Sequence, residues 1–540
     1  MRGISSPERP VGNVGGLSHR RTRAVLVVVA VALMTVVSAV SGLNVALPDL
    51  ARSTGATQTQ LTWVVDAYTV VFAGLLFVAG ALGDRFGRKR LLAAGLVVFG
   101  LAAAWGLVTD DPGQLIALRA LMGVGAAAIM PTTLSVITTS FPEAERPRAV
   151  GIWVGVVGGG AVLGLVVTAT LLQWFPWNSF FGLNVALAAL GLVGTLAVVP
   201  DSTDEHPPAL DVIGAVLSLI GVSGLVAGVI EGPERGWTDA VTVGALAAGA
   251  VGLAAFVRWE LRVEQPLLDV RLFRVRGFSS GTLAVAAQFF ASFGLFFTLL
   301  QYLQFVIGYS PLRATLCLLP LPFFVLPLAR TAPRIAQRVG FRRVTPLGLA
   351  MSTAGLLVIA TVGTDLVYWR LAVGLALFGA GMGLAGTPAT TQITASLPPS
   401  KQGVASAVND VSREIGSALG IAILGSALNQ TYRDGVASAV AGLPAQVREL
   451  VTSSIAVTTS PQVARFGETG RRVVEAAQRA FVDGIGSALL IAAAVVAVAT
   501  VVTWLLAPSP VPVEGTGEAA SSPAADTEAN AAAGAGPALG

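Results

Sequence analysis

Three small sets of ionisable residues stand inside long apolar runs, and with these the chain could do chemistry. Asp66 lies in TWVVDAYTVVFAG, Arg119 in LIALRALMGVGAAAIMP, and Asp410, Arg413 and Glu414 in SAVNDVSREIGSALGIAIL. An ionisable group inside hydrocarbon is expensive, so each is read first as functional. Asp66 suits proton exchange if it sits deep in a helix bundle. Its place near the start of a run reads equally as an interfacial acid in contact with water. Arg119 follows Gln114 closely. It is either a fixed guanidinium that governs when a nearby carboxyl gives up its proton, or an arginine snorkelling to the outer interface. Asp410 and Arg413 are three residues apart, on one helical face, with Glu414 close to that face. A salt bridge that positions the helix end is the reading that suits Asp410. A trap for a cation, or a proton carrier, is the reading that suits Glu414.

The chain that must position these groups has 540 residues, 54% hydrophobic and 12% charged. Soluble globular chains carry about 25% charged residues. Many apolar runs of roughly 18–25 residues follow one another, each long enough to cross a hydrocarbon core of about 30 Å. Backbone polar groups must bond internally there, so the runs are expected to be helices. The alternating pattern of a membrane barrel is absent. The one cysteine, Cys317, lies in an apolar run and offers no intrachain disulfide or thiolate–metal site. His19 and His206 fall in polar connections and assemble no triad or metal site. No cofactor is expected. The absence of a G-x-x-x-x-G-K-[ST] loop points to an ion gradient as the energy source, not ATP.

The runs lie near 24–46, 61–81, 91–109, 115–139, 149–172 and 180–199, then 212–230 and 242–259. Six more lie near 278–304, 312–332, 344–362, 369–394, 403–428 and 485–507, fourteen candidate spans in all. The polar, basic start, residues 1–23, precedes a run too long for a signal peptide, which is read as the first span. Cations gather in alternate connections: Arg20, Arg21 and Arg23; Arg85 to Arg90; Arg146 and Arg148; Arg262, Arg271, Arg274 and Arg276; Arg334, Arg338, Arg342 and Arg343; Lys401. The opposite short loops hold only Arg52, Arg235, Arg313 and Arg370. An even span count with both termini in the cytoplasm follows. The acidic connection Asp201 to His206 breaks the pattern at little cost, because acids weigh lightly in that rule.

The most telling connection is GALGDRFGRKR, Gly80 to Arg90, a tight turn crowded with Asp84, Arg85, Arg88, Lys89 and Arg90 between Gly80, Gly83 and Gly87. It resembles the loop 2–3 signature of the major facilitator superfamily, G-x-L-x-D-R-x-G-R-K-x. The resemblance implies a fold of two parallel six-helix bundles. It also implies that Asp84 pairs with helix ends and arginines, Arg88 first among them, to latch the outward-facing state. The plainer reading is topology marking by charge. Arg338-Val-Gly340-Phe-Arg342-Arg343 echoes Arg85-Phe-Gly87-Arg88-Lys89-Arg90 after the second span of the later six-span block, as an internal repeat would. Arg119, Gly123 and Gly125 match the fourth-span motif R-x-x-x-G-x-G, in which the basic residue is implied to influence proton transfer.

Further stretches are similar to the fourteen-span drug:proton antiporter branch, over about residues 20–507. They are WVVDAY (Trp63 to Tyr68), LDVIGAVL (Leu210 to Leu217), EGPERGW (Glu231 to Trp237), LQFVIGYSPLRA (Leu303 to Ala314) and Asn409 to Gly416. GVVGGGAVLG, with Gly155, Gly159, Gly160 and Gly164, resembles the fifth-span motif and offers small residues for close helix approach. Here Gly164-Leu165 replaces its Gly-Pro, and Thr168-Ala169 its Gly-Gly, so no proline kink is assured. The first span ends on Asn44 to Pro48 as the branch does, with Ala39 where an acid is usual. The proton carrier would then be Asp66 or Glu414.

The expectation is an all-α membrane protein of the major facilitator fold. A basic cytoplasmic N-terminus, 1–23, precedes a six-helix bundle at 24–199. A linker and inserted two-helix hairpin occupy 200–260. A second bundle fills 261–507 with an external loop at 429–483, followed by a disordered cytoplasmic tail at 508–540. Tyr68, Gln288, Phe289 and Phe293 are candidates for the lining of a central cavity. The expected function is proton-coupled efflux of drugs or other amphipathic small molecules across the plasma membrane, by a monomer with no nucleic-acid partner. An importer or metabolite exporter on the same scaffold is the nearest rival. A membrane enzyme would need a nucleophile or metal cluster that the sequence lacks, and a sensor would normally add a folded soluble domain.

Overall fold

The computed structural model describes residues 19–142, 145–201, 211–264, 266–397, 402–459, 463 and 465–507. The start of the basic N-terminus, most of the acidic 201–206 connection, Lys401 and the tail from 508 lie outside the described residues, as does the side chain of Asp84.

Every described element is helical. In order they are α1 (His19–Thr54), α2 (Gln58–Phe86), α3 (Arg88–Trp105), α4 (Pro112–Ser140), α5 (Arg146–Leu171), α6 (Ser179–Val198), α7 (Val212–Arg235) and α8 (Ala240–Glu260). A 3-10 turn (Val270–Arg274) leads into α9 (Arg276–Phe305), α10 (Pro311–Leu316), α11 (Pro320–Val339), α12 (Phe341–Ile359), α13 (Tyr368–Ala395) and α14 (Gln402–Val440). α15 (Ala445–Ser453), a second 3-10 turn (Ile455–Thr459) and α16 (Gly467–Leu506) complete the chain. Among the described residues, 11 helical segments are long and apolar enough to cross a membrane, α10 and α11 counting as one.

The helix starts are written into the sequence. Thr57 caps α2 in a capping box with Gln60, and Asp111 caps α4 by accepting from the Gln114 amide, with Pro112 in the first turn. Two turns of one residue each carry the echo noted above. Gly87, at φ 102° and ψ 128°, ends α2 and begins α3; Gly340, at φ 92° and ψ 142°, does the same between α11 and α12. A Cβ is strained in that backbone region, so only glycine turns the chain there at low cost.

Packing repeats as well. α1 packs on α4, α5 and α6, α3 on α4 and α6, and α2 on α4. In the later set α9 packs on α13, α14 and α16, α12 on α13 and α16, and α11 on α13. α7 and α8 pack on each other, and α7 also touches α2 and α14. Among the described residues, the hydrogen bonds that join α1–α6 to α9–α16 lie at the end away from Arg85–Arg90. Gln304 Nε2 donates to Val45 O at 3.1 Å, Arg52 donates to Gln304 O at 3.1 Å, and Asn429 Nδ2 donates to Thr59 Oγ1 at 3.1 Å.

The 429–483 segment is mostly helix. α14 runs on to Val440 and α16 starts at Gly467, because Tyr432, Val436, Val440, Val473, Ala477 and Phe481 form a continuous buried stripe. The Tyr432 hydroxyl ties α15 down by donating to Val451 O at 2.7 Å.

Replacing Gly87 or Gly340 by alanine should destabilise the protein by about 1–3 kcal/mol, the cost of a side chain in that backbone region. Thermal unfolding of the detergent-solubilised variants measures it. An unchanged midpoint would mean that the turn relaxes freely.

Candidate functional site

Arg119 is the largest fully buried side chain among the described residues. It does not snorkel. Its Nε donates to Val64 O of α2 at 2.9 Å, and NH1 donates to Ala39 O of α1 at 3.2 Å. Its guanidinium carbon stands 4.3 Å from the centre of the Tyr68 ring, a cation–π distance. The Tyr68 hydroxyl donates in turn to Val36 O of α1 at 3.1 Å. The spacing Arg119-x-x-x-Gly123 has a steric cause. A Cβ at Gly123 would come within 2.6 Å of Tyr68 O, so glycine one turn on lets α4 close against α2 and brings the guanidinium to both neighbours.

Asp66, two residues before Tyr68, is fully buried, and neither carboxyl oxygen has a hydrogen-bond partner among the described residues. The water-contact reading does not hold. Arg119 spends its donors on carbonyls rather than on this acid, and its NH2 is unpartnered. A charge on Asp66 without a cation or water beside it would cost several kcal/mol.

α14 supplies the other charges. Arg413 lies 4.0 Å from Asp410 and 5.2 Å from the centre of the Phe289 ring of α9. Asn409 Nδ2 donates to Asp410 Oδ1 at 3.4 Å and accepts on its own oxygen from Thr390 of α13. Phe289 stacks on Phe293, centroids 5.9 Å apart and planes 19° from parallel. Glu414 is half-buried. It lies within electrostatic reach of Asp410 and Arg413, and both Glu414 and Arg119 lie within reach of Tyr68. Gln288 of α9 is buried; its Oε1 accepts from Ser352 Oγ of α12 at 3.2 Å, and its Nε2 is unpartnered.

The structure therefore makes two groups of contacts, Arg119 with Tyr68 in the first helix set and Arg413 with Asp410 and Phe289 in the second, with Glu414 within electrostatic reach of Tyr68 and Arg413. Among the described residues it gives the Asp66 carboxyl no hydrogen-bond partner. The turn residues stand apart: Arg85 is exposed, Arg88 and Lys89 half-buried, and Gly80 has the Pro131 ring near it. Of the α5 glycines, Gly164 packs tightly on Ser38 and Ser41 of α1, and Gly160 loosely on Met34 and Val37. Gly155 and Gly159 face open space, so the expected close approach is confined to one part of α5. α5 has no proline in its interior. Sequence reading missed Gln392 of α13, which is buried with both amide atoms unpartnered. A buried uncharged amide in an apolar span was the available signal.

The sequence profile of the Major Facilitator Superfamily matches residues 28–421. The chain belongs to this superfamily of membrane transporters. The multidrug resistance protein Stp of Mycobacterium tuberculosis is 34% identical over 473 residues, covering 85% of this chain and 87% of that one. The multidrug efflux pump LfrA of Mycolicibacterium smegmatis is 32% identical, covering 89% of this chain and 96% of that one. The puromycin resistance protein pur8 of Streptomyces alboniger is 36% identical, covering 76% and 82%. Among solved structures, the fold is similar to that of a bacterial homologue of the lysosomal transporter Spinster, in an inward-facing and unoccupied conformation. The TM-score is 0.64 and the identity 16%, with 92% of this chain and 100% of that chain covered.

Arg119→Lys keeps a cation but cannot reach both carbonyls with a planar fork. It should lower the thermal midpoint by the equivalent of about 1.5–3 kcal/mol, the worth of one lost charged hydrogen bond. Arg119→Ala should cost more. Equal midpoints for Arg119→Lys and the parent would show that the carbonyl contacts contribute nothing.

Proposed function

We propose that this superfamily member is a proton-driven exporter of amphipathic drugs. The carrying observation is a buried or half-buried cation on an aromatic face in each helix set, Arg119 on Tyr68 and Arg413 on Phe289, with Glu414 within electrostatic reach of Tyr68. The names of the relatives support the cargo class, since they include multidrug and puromycin resistance. Tyr68, Gln288, Phe289 and Phe293 would line the cargo site, and the unpartnered Gln288 Nε2 supplies a donor.

In this reading α1–α6 form one six-helix bundle and α9–α16 the other, with α7–α8 as the inserted hairpin and fourteen spans in all. α3 and α12 open on Arg88-Lys89-Arg90 and Arg342-Arg343 and run 18 and 19 residues, each long enough to cross a hydrocarbon core. The Arg85–Arg90 end faces the cytoplasm, together with both termini, because that is where the short cationic connections gather. The two bundles rock about the central site, so that it opens to one side at a time. Asp66 and Glu414 are the proton carriers, and Asp84 with Arg88 latches the cytoplasmic end when it closes. Asp410 and Arg413 hold the start of α14 in place. The transporter works as a monomer in the plasma membrane. An exporter of a cellular metabolite is the second reading, favoured by the continuous α5 that replaces the motif's proline.

Energised inverted vesicles should accumulate ethidium or puromycin, and an uncoupler should stop the accumulation. Accumulation that persists with the uncoupler would remove proton coupling. Asp66→Asn and Glu414→Gln should each reduce uncoupler-sensitive accumulation to background at undiminished membrane content. A fully active variant would exclude that residue as carrier.

A further inference from the structure

α7 is joined to both halves of the molecule through a defect in its own backbone. Pro233 lies inside it. Proline has no N–H, so the carbonyl four residues back, Val229 O, is denied its helical partner. Ser426 of α14 supplies the missing donor: its Oγ donates to Val229 O at 2.6 Å. Two residues further on, Glu231 accepts from Trp63 Nε1 of α2 at 2.8 Å and from Arg235 Nε at 2.7 Å. Between these bonds, Val222, Val226 and Ile230 of α7 form one apolar cluster with Val70 of α2 and with Ala418 and Ala422 of α14. The seam that α7 covers is the one where Thr62 of α2 meets Gly425 of α14 and Asn429 meets Thr59. α7 follows α2 further, since Leu219 packs against Gly74 near the middle of both helices.

We infer that α7 is a clasp on the outer end of the transporter, held to α2 by Trp63–Glu231 and hooked to α14 by the Ser426–Val229 bond, and that outward opening unhooks Ser426 while α7 travels with α2. The inference rests on the alternating-access reading above. It assigns gating roles to Ser426 and Pro233, residues outside the cargo and proton site. The hook is balanced for release, because each partner is a neutral group that water can satisfy once the seam parts.

The test reads the seam directly, without cargo. In a Cys317→Ser background, Thr62→Cys is placed in the α2–α14 seam and its modification by a membrane-impermeant maleimide is timed from outside intact cells. Ser426→Ala should speed modification about fivefold, the factor that one neutral hydrogen bond is worth. Adding Pro233→Ala gives Val229 O a partner within α7 in both states but rebuilds no bond to α14, and should leave the rate above that of the parent. Trp63→Phe should leave the rate unchanged, since its bond persists in both states. Ser426→Gly also lacks the hydroxyl, and reads the same hook if the alanine variant does not reach the membrane. A rate unmoved by loss of the hydroxyl, or returned to that of the parent by Pro233→Ala, would overturn the hook. Faster modification in Trp63→Phe would overturn the claim that α7 travels with α2. Loss of uncoupler sensitivity in the vesicle assay, with these rates as expected, would remove proton coupling and leave the clasp standing.

Discussion

A guanidinium without a carboxylate organises the first half of this protein. Arg119 is held by the carbonyls of Val64 and Ala39 and by the face of Tyr68, so one side chain fastens α4 to α1 and α2 together. Helical carbonyls have a spare lone pair and cannot titrate, so the arrangement does not depend on the charge of any neighbour. A salt bridge would have bound the arginine to one acid and made the packing answer to its protonation. Among the described residues, neither carboxyl oxygen of Asp66 is bonded to that framework.

Much of this was legible from residue types and spacing. The short cationic turns and the helix starts at Thr57 and Asp111 depend on neighbours within a few residues in the chain, and local pattern carries them. Depth is harder to read. Asp66 stands only two turns from the start of α2, yet it is fully buried, and α2 overruns its apolar run to begin at Gln58. The same overrun hid the continuation of α14: Asn429 to Asp434 reads as polar loop, while Tyr432, Val436 and Val440 at helical spacing carry the helix on.

Contacts across the two halves were not legible. Ser426 looks like an ordinary small polar residue in a span, and Pro233 like a helix breaker at its end. Only their juxtaposition makes one the repair of the other. Gln392 escaped for a related reason. Neutral amides do not disturb an apolar run much, and their unpaired atoms become conspicuous only when the surrounding helices are assembled.

The single-residue turns at Gly87 and Gly340 bear on how force moves through the molecule. A connection of one residue has no slack. α2 with α3, and α11 with α12, are each coupled like two arms of one rigid crank, so a tilt of one arm has to be delivered to the other. Lateral pressure that tilts one helix of either pair is therefore passed to its partner through the elbow, with no loop to absorb it.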